Sequence, residues 1–117
     1  MPKSERGEFE NPKKSAYSLE YYDSSWELDY MKELEQDPNV AKWTKNHGIQ
    51  IAYFDDNDKL RTFRPDFLVE LKDGTKEIHE IKGTHLLNNP ITKRKVERGR
   101  EWCRARKMNF RIVSKYE

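Results

Sequence analysis

The run Arg64-Pro65-Asp66-Phe67-Leu68-Val69-Glu70-Leu71, then the turn Lys72-Asp73-Gly74-Thr75, then Glu77-Ile78-His79-Glu80-Ile81-Lys82-Gly83, decides how this chain folds. Two short apolar-rich runs joined through Asp-Gly predict a β-hairpin, because glycine takes the positive φ that such turns require. Side chains alternate across a strand, so Glu80 and Lys82 share one face and Ile81 takes the other. Pairing with the first strand brings Asp66 toward both. The expected result is a pair of carboxylates and an ammonium on a rigid scaffold.

Two convergent carboxylates offer hard oxygen ligands for Mg²⁺, a cation that needs few protein ligands and keeps several waters. A lysine beside them orients an attacking water or stabilises the charge that builds on a phosphate. Phosphodiester hydrolysis is the natural chemistry. A Glu and a Lys two apart are also ordinary on a solvated strand face in a chain with 38% charged residues, so the combination carries the reading.

Pro65-Asp66 followed by Glu80-Ile81-Lys82 resembles the PD-(D/E)xK nuclease superfamily. The resemblance implies a restriction-endonuclease-like α/β fold with an αβββαβ core, a central mixed β-sheet flanked by two helices. It also implies DNA as substrate and Mg²⁺ as cofactor, with Mn²⁺ substituting.

At 117 residues the chain is long enough for one modest core. Hydrophobic content is 34%, but three Trp, six Tyr and five Phe supply large buried areas per residue. No apolar run approaches the ~20 residues of a membrane helix, and Met1-Pro2-Lys3-Ser4-Glu5 opens no signal segment, so an intracellular, cytoplasmic protein is expected, in the host cytoplasm or the virion if viral. The lone Cys103 excludes an internal disulfide and leaves no Cys/His set for zinc. The net charge of +2 divides unevenly: residues 90–117 hold ten Lys/Arg against three Glu, a net of +7, which leaves −5 for residues 1–89. An anionic polymer is expected to lie along the basic end.

Residues 1–23 are polar, with Lys3, Arg6, Lys13 and Lys14 among Glu5, Glu8 and Glu10, and read as an extended arm that becomes ordered near Tyr17, Tyr21 and Tyr22. A single domain then covers 24–117. Its first helix is predicted from Ser24 or Ser25 to Gln36, stopped by Asp37-Pro38, with Ser24 and Glu27 spaced as a capping box. Glu27, Tyr30, Met31 and Leu34 fall on one stripe, so Glu27 looks inward. A carboxylate there needs a cap partner or a metal and its waters, and both roles stay open. Many nucleases of the resembled superfamily carry an acid on this helix, and Glu27 is the matching position. Ser24-Ser25-Trp26-Glu27, then Leu34, then Asp37-Pro38-Asn39-Val40, also resembles the opening of TnsA-type transposon endonucleases and of a head-completion nuclease family of large tailed phages.

Strands are expected at 40–44, 49–54, 60–71 and 76–82, with Pro65 marking an edge or bend. Asp55-Asp56-Asn57-Asp58 lacks the EF-hand pattern and reads as a solvated hairpin turn. Asn88-Asn89-Pro90 starts a second helix to about Lys107, in which Val96 and Trp102 bury and Gly99 permits close approach to the sheet. Lys93, Arg94, Lys95, Arg98, Arg100 and Arg104 surround that stripe as candidate phosphate contacts. Residues 109–114 close the chain as a strand. His79 alternates away from Glu80 and reads as packing, whereas His85 follows the site closely enough to touch substrate.

The reading is a Mg²⁺-dependent DNA endonuclease with Asp66 and Glu80 as metal ligands, Lys82 as the water-orienting or charge-stabilising group, and Glu27 as a further acid. Phage head completion fits better than transposition, because the domain stands alone behind a short arm. A Holliday-junction resolvase, which would act as a homodimer, and a non-catalytic DNA-binding or assembly protein recruited by a partner are the alternatives.

Overall fold

Ser24 begins helix α1 (Ser25–Gln36) as the sequence spacing requires: its hydroxyl accepts the Glu27 amide at 3.2 Å, and Glu27 Oε1 accepts the Asp23 amide at 3.0 Å. The reciprocal bond falls one residue earlier than in a standard capping box but satisfies the same kind of orphan donor. The computed structural model describes residues 5–116; Met1–Ser4, including Lys3 of the expected arm, and Glu117 lie outside the described residues.

Eight strands accompany α1 among the described residues: β1 (Gly7–Glu10), β2 (Leu19–Tyr22), β3 (Val40–Thr44), β4 (Ile51–Phe54), β5 (Leu60–Phe63), β6 (Phe67–Leu71), β7 (Lys76–Ile81) and β8 (Asn109–Val113). A 3₁₀ turn at Thr84–Leu86 leads into helix α2 (Pro90–Ala105). The central sheet has the order β3-β6-β7-β8, antiparallel across the first two junctions and parallel at the last. The parallel β7–β8 pair needs a crossover, and α2 supplies it. Omitting the two small hairpins, the chain reads α1-β3-β6-β7-α2-β8, the αβββαβ order.

The β6–β7 hairpin closes as its turn chemistry demands. Gly74 sits at φ +89°, and the Leu71 amide bonds the Thr75 carbonyl at 2.8 Å while Asp73 Oδ1 accepts the Thr75 amide at 2.9 Å. Alternation then sorts the residues onto two faces. Phe67 and Val69 face α1, packing with Tyr30, Met31, Leu34, Val40 and Trp43. Ile78 and Leu68 face α2, packing with Val96, Trp102, Cys103 and Phe110. Residues such as Met31 and Phe67, both 0% exposed, each contribute about 1.5–3 kcal/mol of burial. Gly99 lets α2 lie close against Phe110, whose ring would sit 2.4 Å from any added Cβ. Cys103 is buried in this layer, and burial pushes its thiol up to about 11.

Three expectations change. The predicted strand 60–71 is two strands in two sheets, because Arg64-Pro65-Asp66 leaves the ladder: β5 pairs with β4 in a separate hairpin, and β6 enters the middle of the central sheet. Proline cannot donate to a ladder, and Pro65 therefore marks the crossing point rather than a bend within one strand. The strand expected at 49–54 is likewise outside the central sheet. Its Ile51, Tyr53 and Phe63 form their own small core with Ile91 and Trp102 of α2. Finally, order in the arm begins well before the tyrosines: β1 and β2 pair from Gly7↔Tyr22 to Glu10↔Leu19, and the loop between them is fastened by Glu35, whose carboxylate accepts the Lys13 and Lys14 amides at 2.6 and 2.9 Å.

Candidate active site

The ladder register Phe67↔His79, continued by one residue, sets Asp66 opposite Glu80 just where β6 begins. Both carboxylates turn into that junction. Glu80 Oε1 accepts the Asp66 amide at 2.9 Å, and Asp66 Oδ2 accepts the Ile81 amide at 2.8 Å. Each acid is thus fixed by the backbone of the other strand. Lys82 follows β7, anchored by its own amide to the Val113 carbonyl at 3.0 Å, and its Nζ lies 4.0 Å from Glu80 Oε2. Glu27 enters from the first turn of α1. Glu27, Asp66, Glu80 and Lys82 all line one cavity of about 490 Å³, together with Trp26 and His85.

The electrostatics of the pair are adverse in the absence of a cation. Burial pushes both carboxyls up; the charge of Glu27 adds to the effect on Asp66, and the charge of Asp66 adds to that on Glu80, which rises to about 8. Burial disfavours the charged form of each acid, and the like charge nearby adds to that. This strain fits a hard divalent cation, which Mg²⁺ chemistry holds through one or two carboxylates with water completing the shell. Among the described residues no group of three or more His, Cys, Asp or Glu stands ready-made as a metal cage. The Glu27 carboxylate is ion-paired with Lys45.

Lys45 belongs to no motif. A signal was present: it shares the parity of buried Trp43, so it points inward at the end of β3, where its ammonium lies 5.8 Å over the Phe67 ring. His47 belongs to no motif either. Its Nδ1 accepts the Ile49 amide at 2.9 Å, so Nε2 carries the proton and donates to the Pro65 carbonyl at 2.7 Å, fixing the residue before Asp66. A second cavity of about 470 Å³, lined by Tyr21, Lys45, Asn46, Arg64 and Asp66 among others, opens on this side. Asp66 therefore borders two openings.

His79 is buried on the opposite face, as alternation requires. It lies 2.9 Å from Glu77 through Nε2 and 2.5 Å from the Tyr30 hydroxyl through Nδ1. Burial lowers its pKa and pushes the Tyr30 hydroxyl up to about 12.

The basic residues of α2 divide. Arg98 Nε donates to the Ala52 carbonyl at 2.9 Å and Arg94 to the Asp55 carbonyl at 2.6 Å, so these two clamp the β4–β5 hairpin. Lys95 lies over the Tyr53 and Phe63 rings at 5.4 and 5.9 Å, and its pKa is lowered by burial first and then by the charge of Lys82. Lys93, Arg100 and Arg104 are exposed. None of the described helices is long and apolar enough to cross a membrane.

Comparison with curated proteins gave no match. The family model described as "TnsA-like endonuclease N terminal" matches residues 37–115, a span that contains Asp66, Glu80, Lys82 and all of α2 and begins after Glu27. That span covers most of the chain and carries the mixed sheet with its crossover helix, so the protein belongs to the TnsA-like endonuclease N-terminal family.

Proposed function

We propose that the protein is a metal-dependent endodeoxyribonuclease whose reacting centre is the junction of β6 and β7. The observation that carries this reading is the fixed opposition of Asp66 and Glu80, with Lys82 in the same cavity. Asp66 and Glu80, joined by Glu27 from the opposite layer, would hold Mg²⁺, with Mn²⁺ able to replace it. The cation, when bound, supplies Lewis-acid stabilisation of the phosphate and activation of water at neutral pH.

The residues supply placement and charge. The two cross-strand amide bonds keep the Asp66 and Glu80 carboxylates from turning away, so little reorganisation is needed as substrate arrives. Lys82, 4.0 Å from Glu80, lies close enough to orient a water held by that carboxylate or to neutralise charge on a phosphate entering the cavity. Lys93, Arg100 and Arg104 on α2 are free to meet backbone phosphates, which gives affinity without base-sequence information. Lys95, beside Lys82 and Glu80, extends the positive surface to the centre. The substrate is intracellular DNA; by resemblance the finer reading is DNA-end processing during phage head completion. The described residues carry one such centre, so a double-strand break takes two nicks or a homodimer.

The test is incubation of supercoiled plasmid and a branched DNA with the protein in Mg²⁺, Mn²⁺ or EDTA, beside folded Asp66→Ala and Lys82→Ala variants. Metal-dependent nicking that disappears in both variants supports the reading and its preferred substrate narrows it; salt-sensitive DNA binding with no cleavage of either DNA replaces it with a binding module on a nuclease fold.

A further inference from the structure

Lys45 is mounted more firmly than a surface lysine needs to be. Its amide donates to Glu20 Oε1 at 2.9 Å, and Glu20, 1% exposed, is itself held by the Thr44 hydroxyl at 2.6 Å and the Ser15 hydroxyl at 2.5 Å. Its carbonyl accepts from Arg64 at 2.6 Å, and Arg64 directly precedes Pro65-Asp66. The side chain between these two anchors is only 14% exposed. It ends on Glu27, with Asp23 3.6 Å away, and its charge also bears on Asp66. Asp23, Glu27 and Asp66 thus all feel one ammonium carried on a fixed stem.

We propose that Lys45 is a positioning residue that serves as the resident counter-ion of the site, holding the Glu27 carboxylate in place and releasing it when a divalent cation binds. The inference rests on the proposed metal reading of Asp66, Glu80 and Glu27. A fixed ammonium beside those acids competes with an incoming cation for Glu27 and repels it, while keeping that carboxylate ordered and aimed at the site. A lysine of purely structural value would brace α1 against β3 and leave cation affinity alone.

The two roles separate in a calorimetric titration of Mn²⁺ into the protein without DNA. Lys45→Gln removes the charge and keeps an N–H donor on a side chain one bond shorter, and it is expected to bind Mn²⁺ about tenfold more tightly than wild type, the direction Coulomb repulsion requires. Lys45→Arg, which keeps the charge, is expected to stay within about threefold of wild type on the same ground. In the wild-type protein, saturation with diamagnetic Mg²⁺ is expected to move the Lys45 side-chain resonances toward those of a lysine without a carboxylate partner, a measurement that stands even if Lys45→Gln does not fold. Unchanged or weaker Mn²⁺ affinity in folded Lys45→Gln, or Lys45 resonances that stay put at Mg²⁺ saturation, overturns the inference alone. Wild-type protein that takes up neither ion overturns the metal reading and this inference with it.

Discussion

Glu77 and Glu80 lie three residues apart on β7 and are each 6% exposed, yet the structure treats them in opposite ways. Glu77 meets donors: His79 Nε2 at 2.9 Å, Asn109 Nδ2 at 3.4 Å and Arg111 at 3.6 Å. Glu80 accepts the Asp66 amide at 2.9 Å but also faces the Asp66 carboxylate, with the Lys82 ammonium 4.0 Å away, and burial together with that like charge pushes its pKa up to about 8. Burial is therefore not what distinguishes the acid proposed to react from the structural one. The difference lies in whether the neighbours have already compensated the charge, and where they have not, a ligand can.

The largest expected effects come from removing the uncompensated side of that contrast. Asp66→Ala or Lys82→Ala is expected to lower metal-dependent cleavage by about 10²–10³-fold or more with the fold intact, since each removes a fixed electrostatic partner of the transition state. Plasmid nicking at equal melting temperature reads this directly. Retained cleavage in either variant would break the assignment of the centre.

Stability should move the other way for the two glutamates. Glu77→Ala leaves His79 and its neighbours without their acceptor and is expected to cost about 1–3 kcal/mol in denaturant unfolding. Glu80→Gln keeps the shape and removes a repelling charge, and is expected to raise the melting temperature of metal-free protein at pH 8. If both substitutions destabilise alike, the contrast between the two acids is wrong.

The pH dependence follows from the same shift. The Glu80 pKa in the folded protein, about 8, stands above its ordinary 4.5, so between those values the native state holds more protons than the unfolded state. Its contribution to stability is therefore full below about pH 4.5 and is lost as pH rises toward 8. A divalent cation needs the ionised pair, so the melting-temperature gain from Mg²⁺ should grow over that window. A gain that is flat with pH would contradict the shared-proton picture.

The smallest effects sharpen a second contrast, within α2. Arg98→Ala loses a bond to the Ala52 carbonyl and is expected to cost about 1 kcal/mol, while Arg100→Ala and Arg104→Ala should leave stability within about 0.5 kcal/mol. The exposed pair should instead weaken DNA binding on all sequences and reduce the salt slope by about one each. Loss of DNA affinity confined to Arg98 would reverse the division.

What was legible in the sequence was local. Ser24 with Glu27, Asn89 with Pro90, and Asp73 with Gly74 fix their elements through bonds a few residues apart, and alternation along 76–82 was enough to separate His79 from Glu80. Pairing partners were less so. The stretch 60–71 carries strand-forming residues throughout, and only the position of Pro65 hints that β5 and β6 belong to different sheets. Lys45 was hidden because its partners come from 18 residues back in Glu27 and 19 ahead in Arg64, contacts that exist only after folding. The charge of α2 was plain in the sequence, but the division of its arginines between hairpin and solvent depends on where β4–β5 docks.

The most direct measurement is a calorimetric titration of Mn²⁺ into wild-type protein and Glu80→Gln at pH 7, repeated in two buffers of different ionisation enthalpy so that protons are counted along with metal. The account predicts one Mn²⁺ per chain with the release of about one proton from the carboxyl pair, and loss of both in Glu80→Gln. Binding without proton release, or binding unchanged in Glu80→Gln, would contradict the claim that Asp66 and Glu80 are a strained pair built to take up a cation.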